Sequence, residues 1–379
     1  MSTSRFTIDA GPHDRRHTPV SFPLPDGVTV GALRSADDDR PVPAQVHDGM
    51  VHLIVDRLKA GERRTYVFDS EARPVRRGGV WLAHDQAAGR VDIRVGRSAF
   101  TTYRYDPRCA RPHFYPLLGP GGAAMTRHYP MRDDVPGEPH DHPHHRSLWV
   151  AFGDINGQDN WSEQDGHAWQ AHQAMHEVVS GPVFGQFTQT LRWLDGDRRG
   201  AHLHERRTVR VWKTPDGARL MDLTVALTAE ARDAVFGDTK EGGICSVRVA
   251  TTMDGSKGGR IENSFGGIGE AETWGKPAHW CDYSGPVAGK VVGIAVMDHP
   301  MNLRHPTPWH VRDYGLMGAN PCRHAPYQSA PLRDGSCALP AGETLTFRYR
   351  VYLHSGDAKK GGVAARYADY VAGPKVERG

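Results

Sequence analysis

Four histidines stand within six positions of the stretch "GEPHDHPHHRSLWVAFGDINGQDNW", residues 137–161. Imidazoles bind divalent metal ions or move protons near neutral pH. Nine of the 22 histidines lie in residues 113–176, a density that a surface loop does not need. On an extended backbone His142 and His144 share one face, where they could chelate Zn, Mn or Ca, whereas His145 points away. For any single histidine, the simpler interpretation is a polar loop residue bonded to backbone and water.

Short polar residues and tryptophans follow in "GDINGQDNWSEQDGHAW". The order of a calcium-binding loop is missing from this stretch, so we exclude that interpretation. Asp159 and Trp161 instead suit a saccharide, whose CH faces stack on rings while its hydroxyls need directional partners. Arg146 is expected to bind the substrate beside them. For Trp149, inside an apolar run, we expect core packing.

Two later stretches complete the set of candidate residues. "FGDTKEGGICSVRVA" places Lys240 and Glu241 before a strand, where a glutamate can serve as a general base and where charged residues are also ordinary surface groups. "MDHPMNLRHPTPWHVRDYGLMGANP" is polar yet rich in Pro, Trp and Met, which is typical of a pocket-lining loop. From it we take His310 as catalytic and Arg312, Tyr314 and Asn320 as substrate-binding.

Composition narrows the class of protein. The formal charge of +3 favours neither nucleic acid nor an acidic membrane surface. The five scattered cysteines favour a reducing compartment, and neither a signal peptide nor a stretch of ~20 apolar residues is visible. We therefore expect a cytoplasmic protein with no membrane, nucleic-acid or nucleotide partner, and leave open whether it is a homo-oligomer.

Strand patterns dominate the chain. Residues 204–230 alternate in side-chain polarity around the turn Thr214–Gly217, which predicts a hairpin. Residues 342–357 place alternate apolar residues on one face and a wetter face opposite. The single predicted helix starts near Val363 and stops at Gly373-Pro374. We expect an all-β fold, a large antiparallel β-sandwich with a short C-terminal helix, and place an N-terminal β-subdomain at 1–75 and the main domain at 76–379.

Three blocks of the sequence carry a resemblance. "HDHPHHRSLWVAFGDINGQDNW", "GDTKEGGICSVRVA" and "PWHVRDYGLMGANP" resemble signature blocks of a bacterial family of unknown function labelled PmoA-like, from about residue 100 to residue 355. The methane-monooxygenase label is rejected, because that enzyme is a membrane protein and this chain has no span. The resemblance implies a β-sandwich similar to the galactose-mutarotase-like superfamily and a setting among carbohydrate-catabolic enzymes. The sequence lacks the usual spacing of mutarotase catalytic residues.

The leading hypothesis is a carbohydrate-active enzyme of hydrolase, lyase or epimerase type that cleaves or rearranges a sugar or keto-glycoside. In one mechanism a divalent ion on His142 and His144 polarises the substrate while Glu241 moves the proton. In the other, a histidine such as His145 is the acid and Glu241 the base, without a metal. Arginine and lysine side chains, Lys240 among them, would hold an oxyanion or carboxylate. The alternative is a non-catalytic, sugar-binding or sensing sandwich.

Overall fold

The computed structural model describes residues 3–25, 28, 30–75, 78–215, 217–322 and 334–379. About 52% of the chain is strand and 8% is helix, and all the strand pairs described are antiparallel. The prediction of an all-β fold, a large antiparallel sandwich with a short C-terminal helix, is confirmed.

A small pair of sheets is built largely from the N-terminal residues. One sheet has the order β27-β1-β7-β3-β4 and the other β2-β6-β5. The strands are β1 (Thr3–Asp9), β2 (Arg15–Pro23), β3 (Ala32–Ser35), β4 (Pro41–Val42), β5 (Ala44–His47), β6 (Met50–Leu58), β7 (Arg63–Asp69) and β27 (Lys375–Arg378). The two sheets enclose a hydrophobic cluster of their own, in which Phe6 stacks on Phe22. The domain boundary near residue 75 stays a prediction.

Among the described residues, the main sandwich consists of an eleven-stranded first sheet and an eight-stranded second sheet. The strands of the first sheet are β8 (Val80–Asp85), β9 (Arg90–Val95), β10 (Ser98–Arg104), β11 (His113–Leu117), β12 (Leu148–Ile155), β13 (Gln158–Asn160), β18 (Ala234–Phe236), β19 (Gly242–Arg248), β23 (Trp309–Arg312), β24 (Leu316–Ala319) and β25 (Cys337–Leu339). The strands of the second sheet are β14 (Trp169–Val179), β15 (Phe184–Leu194), β16 (Ala201–Trp212), β17 (Ala218–Ala229), β20 (Arg260–Asn263), β21 (Trp280–Val287), β22 (Lys290–Asp298) and β26 (Thr344–Ser355). Apolar side chains of both sheets meet in one large core.

Alternation along the strands explains how this core forms. β16 and β17 make the predicted hairpin, although Asp216 of its turn lies outside the described residues. On β26 the side chains of Phe347, Val351 and Leu353 enter the main core, as the period of two predicts. The opposite face of β26 was predicted to be more exposed to solvent. It is instead largely buried, because the C-terminal helices cover residues such as Tyr352.

Three short α-helices accompany the strands within the described ranges: α1 (Gly269–Thr273), α2 (Ala358–Gly361) and α3 (Val363–Val371). α3 is the predicted helix, and it ends shortly before Pro374, which cannot continue a helix. None of the helices in the described ranges has the length and apolar character needed to cross a bilayer.

Candidate active site

The candidate site lies on the face of the first sheet that points away from the main core. On β12 the side chains of Leu148, Val150 and Phe152 enter the core, so Trp149 and Ala151 occupy the other face. Trp149 is therefore buried as expected, but in a separate small cluster and not in the main core. Because the residues from Leu148 to Phe152 are all apolar, the sequence does not show which of them face the main core and which face the other side of the sheet.

Strand register places five residues in one row across this face. His113 on β11 pairs with Trp149 on β12, which pairs with Ser246 on β19. Ser246 pairs with Gly318 on β24, and Gly318 pairs with His310 on β23. We call this surface, with its small central residues, the site face. A Cβ at Gly318 would lie 2.9 Å from the Ser246 hydroxyl, so a larger side chain would not fit there.

The histidine loop, defined as residues 137–147, is held against the site face by buried arginines. Arg127 donates hydrogen bonds to the carbonyls of Tyr129 (3.1 Å), Pro139 (3.4 Å) and His142 (2.8 Å), and also to the Asp141 carboxylate. His142 has a φ of 44°, a left-handed conformation that costs free energy for a residue other than glycine. The guanidinium on its carbonyl stabilises that conformation.

A second buried guanidinium holds the end of the loop. Nη1 of Arg111 donates to the carbonyl of Trp161 at 2.9 Å and lies 3.5 Å from that of His144. Asp159 accepts hydrogen bonds from the backbone N–H groups of Trp161 (2.7 Å) and Ser162 (2.9 Å). Trp161 is therefore fixed from both sides by backbone contacts, and the described contacts of Asp159 are structural.

Four aromatic rings form a column across the loop. Tyr314 stacks on His142 with 5.0 Å between ring centroids, His142 on His145 with 4.8 Å, and His145 on Trp149 with 5.3 Å. The planes of successive rings differ by 11° to 21°. Trp161 meets His145 edge-on at 5.7 Å. His145 is thus enclosed between two rings and is 1% exposed, whereas the side chain of His142 is 37% exposed.

The hydrogen bond to His145 determines its tautomer. Nη1 of Arg248 lies 3.1 Å from Nδ1 of His145, and a guanidinium can only donate. Nδ1 is therefore the acceptor, and the neutral ring carries its proton on Nε2. Burial, followed by the charges of neighbouring groups such as His144 and Arg248, holds the pKa of His145 well below 6.5. His145 is consequently a neutral hydrogen-bond donor at physiological pH.

The outer imidazole, His142, is placed differently. Its Nδ1 lies 3.0 Å from Oδ2 of Asp141, at ion-pair distance, although the ring is not aligned for an ideal hydrogen bond. Asp141 also contacts Arg127 and lies 3.5 Å from Nη2 of Arg248. The adjacent cations outweigh burial and lower the pKa of Asp141, which keeps it ionised beside His142. A carboxylate beside one ring nitrogen favours the proton there and leaves the other nitrogen for chemistry.

The electrostatic environment is rich in cations. The guanidinium groups of Arg111, Arg127 and Arg248 lie against the loop, and Arg146 is part of it. Arg146 forms a bidentate ion pair with Glu163, at 2.9 and 2.6 Å. Burial, with Arg111 as the next cause, lowers the pKa of His144 to about 4. Burial, with Arg146 as the next cause, lowers that of His113 to about 3.

Several buried donor atoms on this face have no hydrogen-bond partner among the described residues. They include the indole N–H groups of Trp149 and Trp161, Nη2 of Arg111 and Nε of Arg248. Leaving a buried donor unsatisfied costs about 1–3 kcal/mol. Such costs persist mainly where function requires them, so their concentration marks this face as a candidate site.

The predicted metal pair, His142 and His144, has ring centroids 5.7 Å apart. Within the described residues neither belongs to a group of three His, Cys, Asp or Glu side chains close enough to share one ion. The group that meets this criterion, His47, Asp48 and Glu177, lies elsewhere. Among the described residues we therefore find no third ligand beside this pair, and we derive no step through a metal.

The region just described coincides with a known family. The sequence profile of a family of unknown function, DUF6807, matches residues 90–368. The chain belongs to this family. The match includes the histidine loop and the whole site face, whereas the PmoA-like label finds no support.

Other comparisons of this DUF6807 protein add little. No curated protein matches it. Two solved structures from Enterococcus faecalis are similar over the whole chain at 9% identity: a protein of glycosyl hydrolase family 38, with a TM-score of 0.44, and an alpha-mannosidase of strain V583, with a TM-score of 0.45. The chain spans about half the length of either protein, 47% and 46%. Likeness at this level carries no argument about function.

The other predicted residues of the DUF6807 chain lie around this face. Lys240 and Glu241 form an ion pair of 3.4 Å with exposed side chains. Burial raises the pKa of Tyr314, and the Glu241 carboxylate adds to that rise. Nε of Arg312 donates to Glu270 at 2.8 Å, and the guanidinium lies 5.3 Å from the centre of the Tyr314 ring.

The remaining two lie deeper. His310 is buried at the end of the row, with its ring 6.2 Å from that of Trp161. Asn320 is also buried and donates to the carbonyl of Thr239 at 2.8 Å. It thereby ties β24 to the segment that carries Glu241.

Sequence reasoning missed the arginines that build the site. Arg111, Arg127 and Arg248 are fully buried in the structure, but nothing in the sequence distinguishes them from the many surface arginines. His113 and Trp149 could have been assigned to the same kind of face, because each is next in sequence to a core residue and so lies on the other face of its strand. Their pairing across the sheet required knowledge of the register.

Proposed function

We propose that this protein is a carbohydrate-active enzyme that cleaves or rearranges a sugar or keto-glycoside at the outer side of the histidine loop. The observation that carries this proposal is the placement of His142. Its ring is accessible, has an ionised carboxylate on one side and stacks between Tyr314 and His145. An imidazole oriented by a carboxylate is a common arrangement for general acid–base chemistry.

Aromatic rings and hydrogen-bond donors would recognise the sugar. Tyr314 offers a partly exposed ring on which a CH face of a pyranose can stack. Arg312, which lies over the Tyr314 ring, and Lys240 are cations suited to a carbonyl oxygen or carboxylate of an oxidised sugar. Charged donors also stabilise the negative charge that develops on such an oxygen in the transition state.

His142 and Glu241 are the proposed pair of proton-transfer groups. In a keto-glycoside, one group takes the proton from the carbon beside the carbonyl, and the electron pair moves on to the carbonyl oxygen. Return of that pair expels the alcohol from the next carbon, and the other group protonates the leaving oxygen. In this scheme His145 is a positioning residue, because it is enclosed behind His142 and contacts no substrate. The metal-assisted version stays a separate prediction, which elemental analysis of protein purified without a tag would refute if no stoichiometric ion were found.

The test is incubation with a panel of glycosides and their 3-keto forms, followed by mass spectrometry. We expect at least one substrate to be converted, and His142→Gln and Glu241→Gln each to lower kcat by on the order of 10²–10⁴. The matched control is His140→Gln, an exposed histidine of the same loop that stacks on Tyr129, outside the column of rings. It should retain the wild-type rate.

Two results would count against the proposal. If every substrate returned unchanged, the enzyme interpretation would fail. If sugars bound saturably without conversion, and both variants weakened only that affinity, the protein would be a sugar-binding sandwich.

A further inference from the structure

A cavity of about 520 Å³ lies between the N-terminal sheets and the C-terminal helices, and no residue of the histidine loop lines it. Four segments line it: the start of β2, the end of β6, the turn between β16 and β17, and the stretch from the end of β26 into α3. Its size is within the range typical of small-molecule sites.

The cations that line this cavity outnumber its carboxylates. Arg15 and Arg366 share Asp369, at 3.0 and 2.9 Å. Lys59 pairs with Asp14. These contacts neutralise the charges only in part, because two guanidinium groups share one carboxylate.

Three further cations line the cavity, namely Arg16, Arg57 and Lys360. None of them has an ion-pair partner within the described ranges, and all three are exposed. Three cations from three different segments therefore line one cavity without an ion-pair partner among the described residues. Such a set of cations is what recognition of a compact dianion requires.

The backbone adds to this positive field. α3 has nine residues, and its N-cap is Gly362, which lines the cavity and provides no side-chain cap. The start of a helix carries partial positive charge on its free N–H groups and favours an anion. The partial positive charge at the start of α3 adds to the charge of the three unpaired side chains.

Part of the remaining lining is apolar. Pro215, Ala218, Leu220 and the ring of Tyr352 line one side. The Tyr352 hydroxyl is already occupied, because it donates to the carbonyl of Gly361 at 3.0 Å. An inorganic ion would leave this wall without a partner, whereas an organic group attached to the anion would cover it.

We propose that this cavity binds a small organic phosphomonoester, with its phosphate between Arg16, Arg57 and Lys360 and its organic part against the apolar wall. The phosphate group of such an ester carries nearly two negative charges at pH 7 and three acceptor oxygens, which match three cations. This binding site is separate from the site face and does not depend on the proposed function.

The test is isothermal titration calorimetry on the full chain with glucose 6-phosphate, inorganic phosphate and glucose. We expect saturable binding of glucose 6-phosphate, weaker binding of inorganic phosphate and none of glucose. Arg57→Gln and Lys360→Gln should each weaken binding of the ester about tenfold, because each removes one charged contact. Lys276→Gln, which changes an exposed lysine outside the cavity, is the matched control and should leave the affinity unchanged.

Circular dichroism of each variant checks that the fold is intact. We expect an intact fold because the side chains of Arg57 and Lys360 are exposed. Absence of saturable binding to the ester would overturn the proposal, as would equal loss in the control variant. Equal affinity for inorganic phosphate would overturn the assignment of an organic ligand.

Discussion

Replacing Arg127 by methionine tests whether this guanidinium holds the histidine loop in place. The side chain is fully buried and donates to two loop carbonyls, to the carbonyl of Tyr129 just before the loop, and to the Asp141 carboxylate. Methionine has a similar length but no donor, so the substitution removes all these contacts while filling most of the space.

The expected magnitude follows from these contacts. An unsatisfied buried acceptor costs about 1–3 kcal/mol, but the bonds of Arg127 are only part-buried and water will replace some of them. Removing a buried charge also recovers part of its desolvation cost. We therefore expect a loss of about 2–4 kcal/mol, confined largely to the loop, because the loop lies outside the main core.

Hydrogen–deuterium exchange read by mass spectrometry measures this change locally. A loss of that size accelerates exchange in peptides covering residues 137–147 by on the order of 30- to 1000-fold, while the core strands keep their protection. Arg132→Met is the control, since Arg132 is exposed and pairs with Asp134 two residues away. Unchanged loop exchange in Arg127→Met would refute the reasoning, because the loop would then be held by other contacts.

Three further predictions concern buried titratable groups. Glu205→Gln should lower the free energy of unfolding in urea by about 3–5 kcal/mol, because it breaks a fully buried pair with an arginine, whereas Glu230→Gln, in a partly exposed pair, should cost far less. In ¹⁵N-detected NMR, His145 should remain a neutral Nε2–H tautomer from pH 8 to pH 5.5, and a titration near 6.5 would contradict the contact with the guanidinium. The pKa values of His113, His144 and His145 are lowered in the folded state, so these rings take up protons more readily in the unfolded state. The free energy of unfolding should therefore fall as the pH drops from about 6.5 towards 4. A Tm that rises on acidification would contradict this prediction.

Local pattern was enough to predict much of the fold. The β16–β17 hairpin, the core face of β26 and the helix α3 follow from periods of two and 3.6 residues together with Gly and Pro signals. The buried outer face of β26 was not predictable in the same way. Its burial depends on the helices that fold back over it, a long-range contact without a local signal.

For the site, the sequence indicated which segments meet but not which atoms face one another. His142 and His145 both appeared as candidates, yet only the ring column shows that one is accessible and the other enclosed. Spacing suggested a shared metal for His142 and His144. The left-handed conformation of His142 alters the direction of that side chain, which an extended-backbone argument does not anticipate, and the shared metal stays a prediction.

The pairing of β27 with β1 joins the two ends of the described chain, since Phe6 lies opposite Arg378. During synthesis the edge of the N-terminal sheet at β1 therefore stays uncovered until β27 has been made, which leaves that edge open to pairing with other molecules. After a protease cut between β7 and β8, the two fragments should co-elute in size-exclusion chromatography. Strand pairing and the buried Arg15–Asp369 ion pair still connect them.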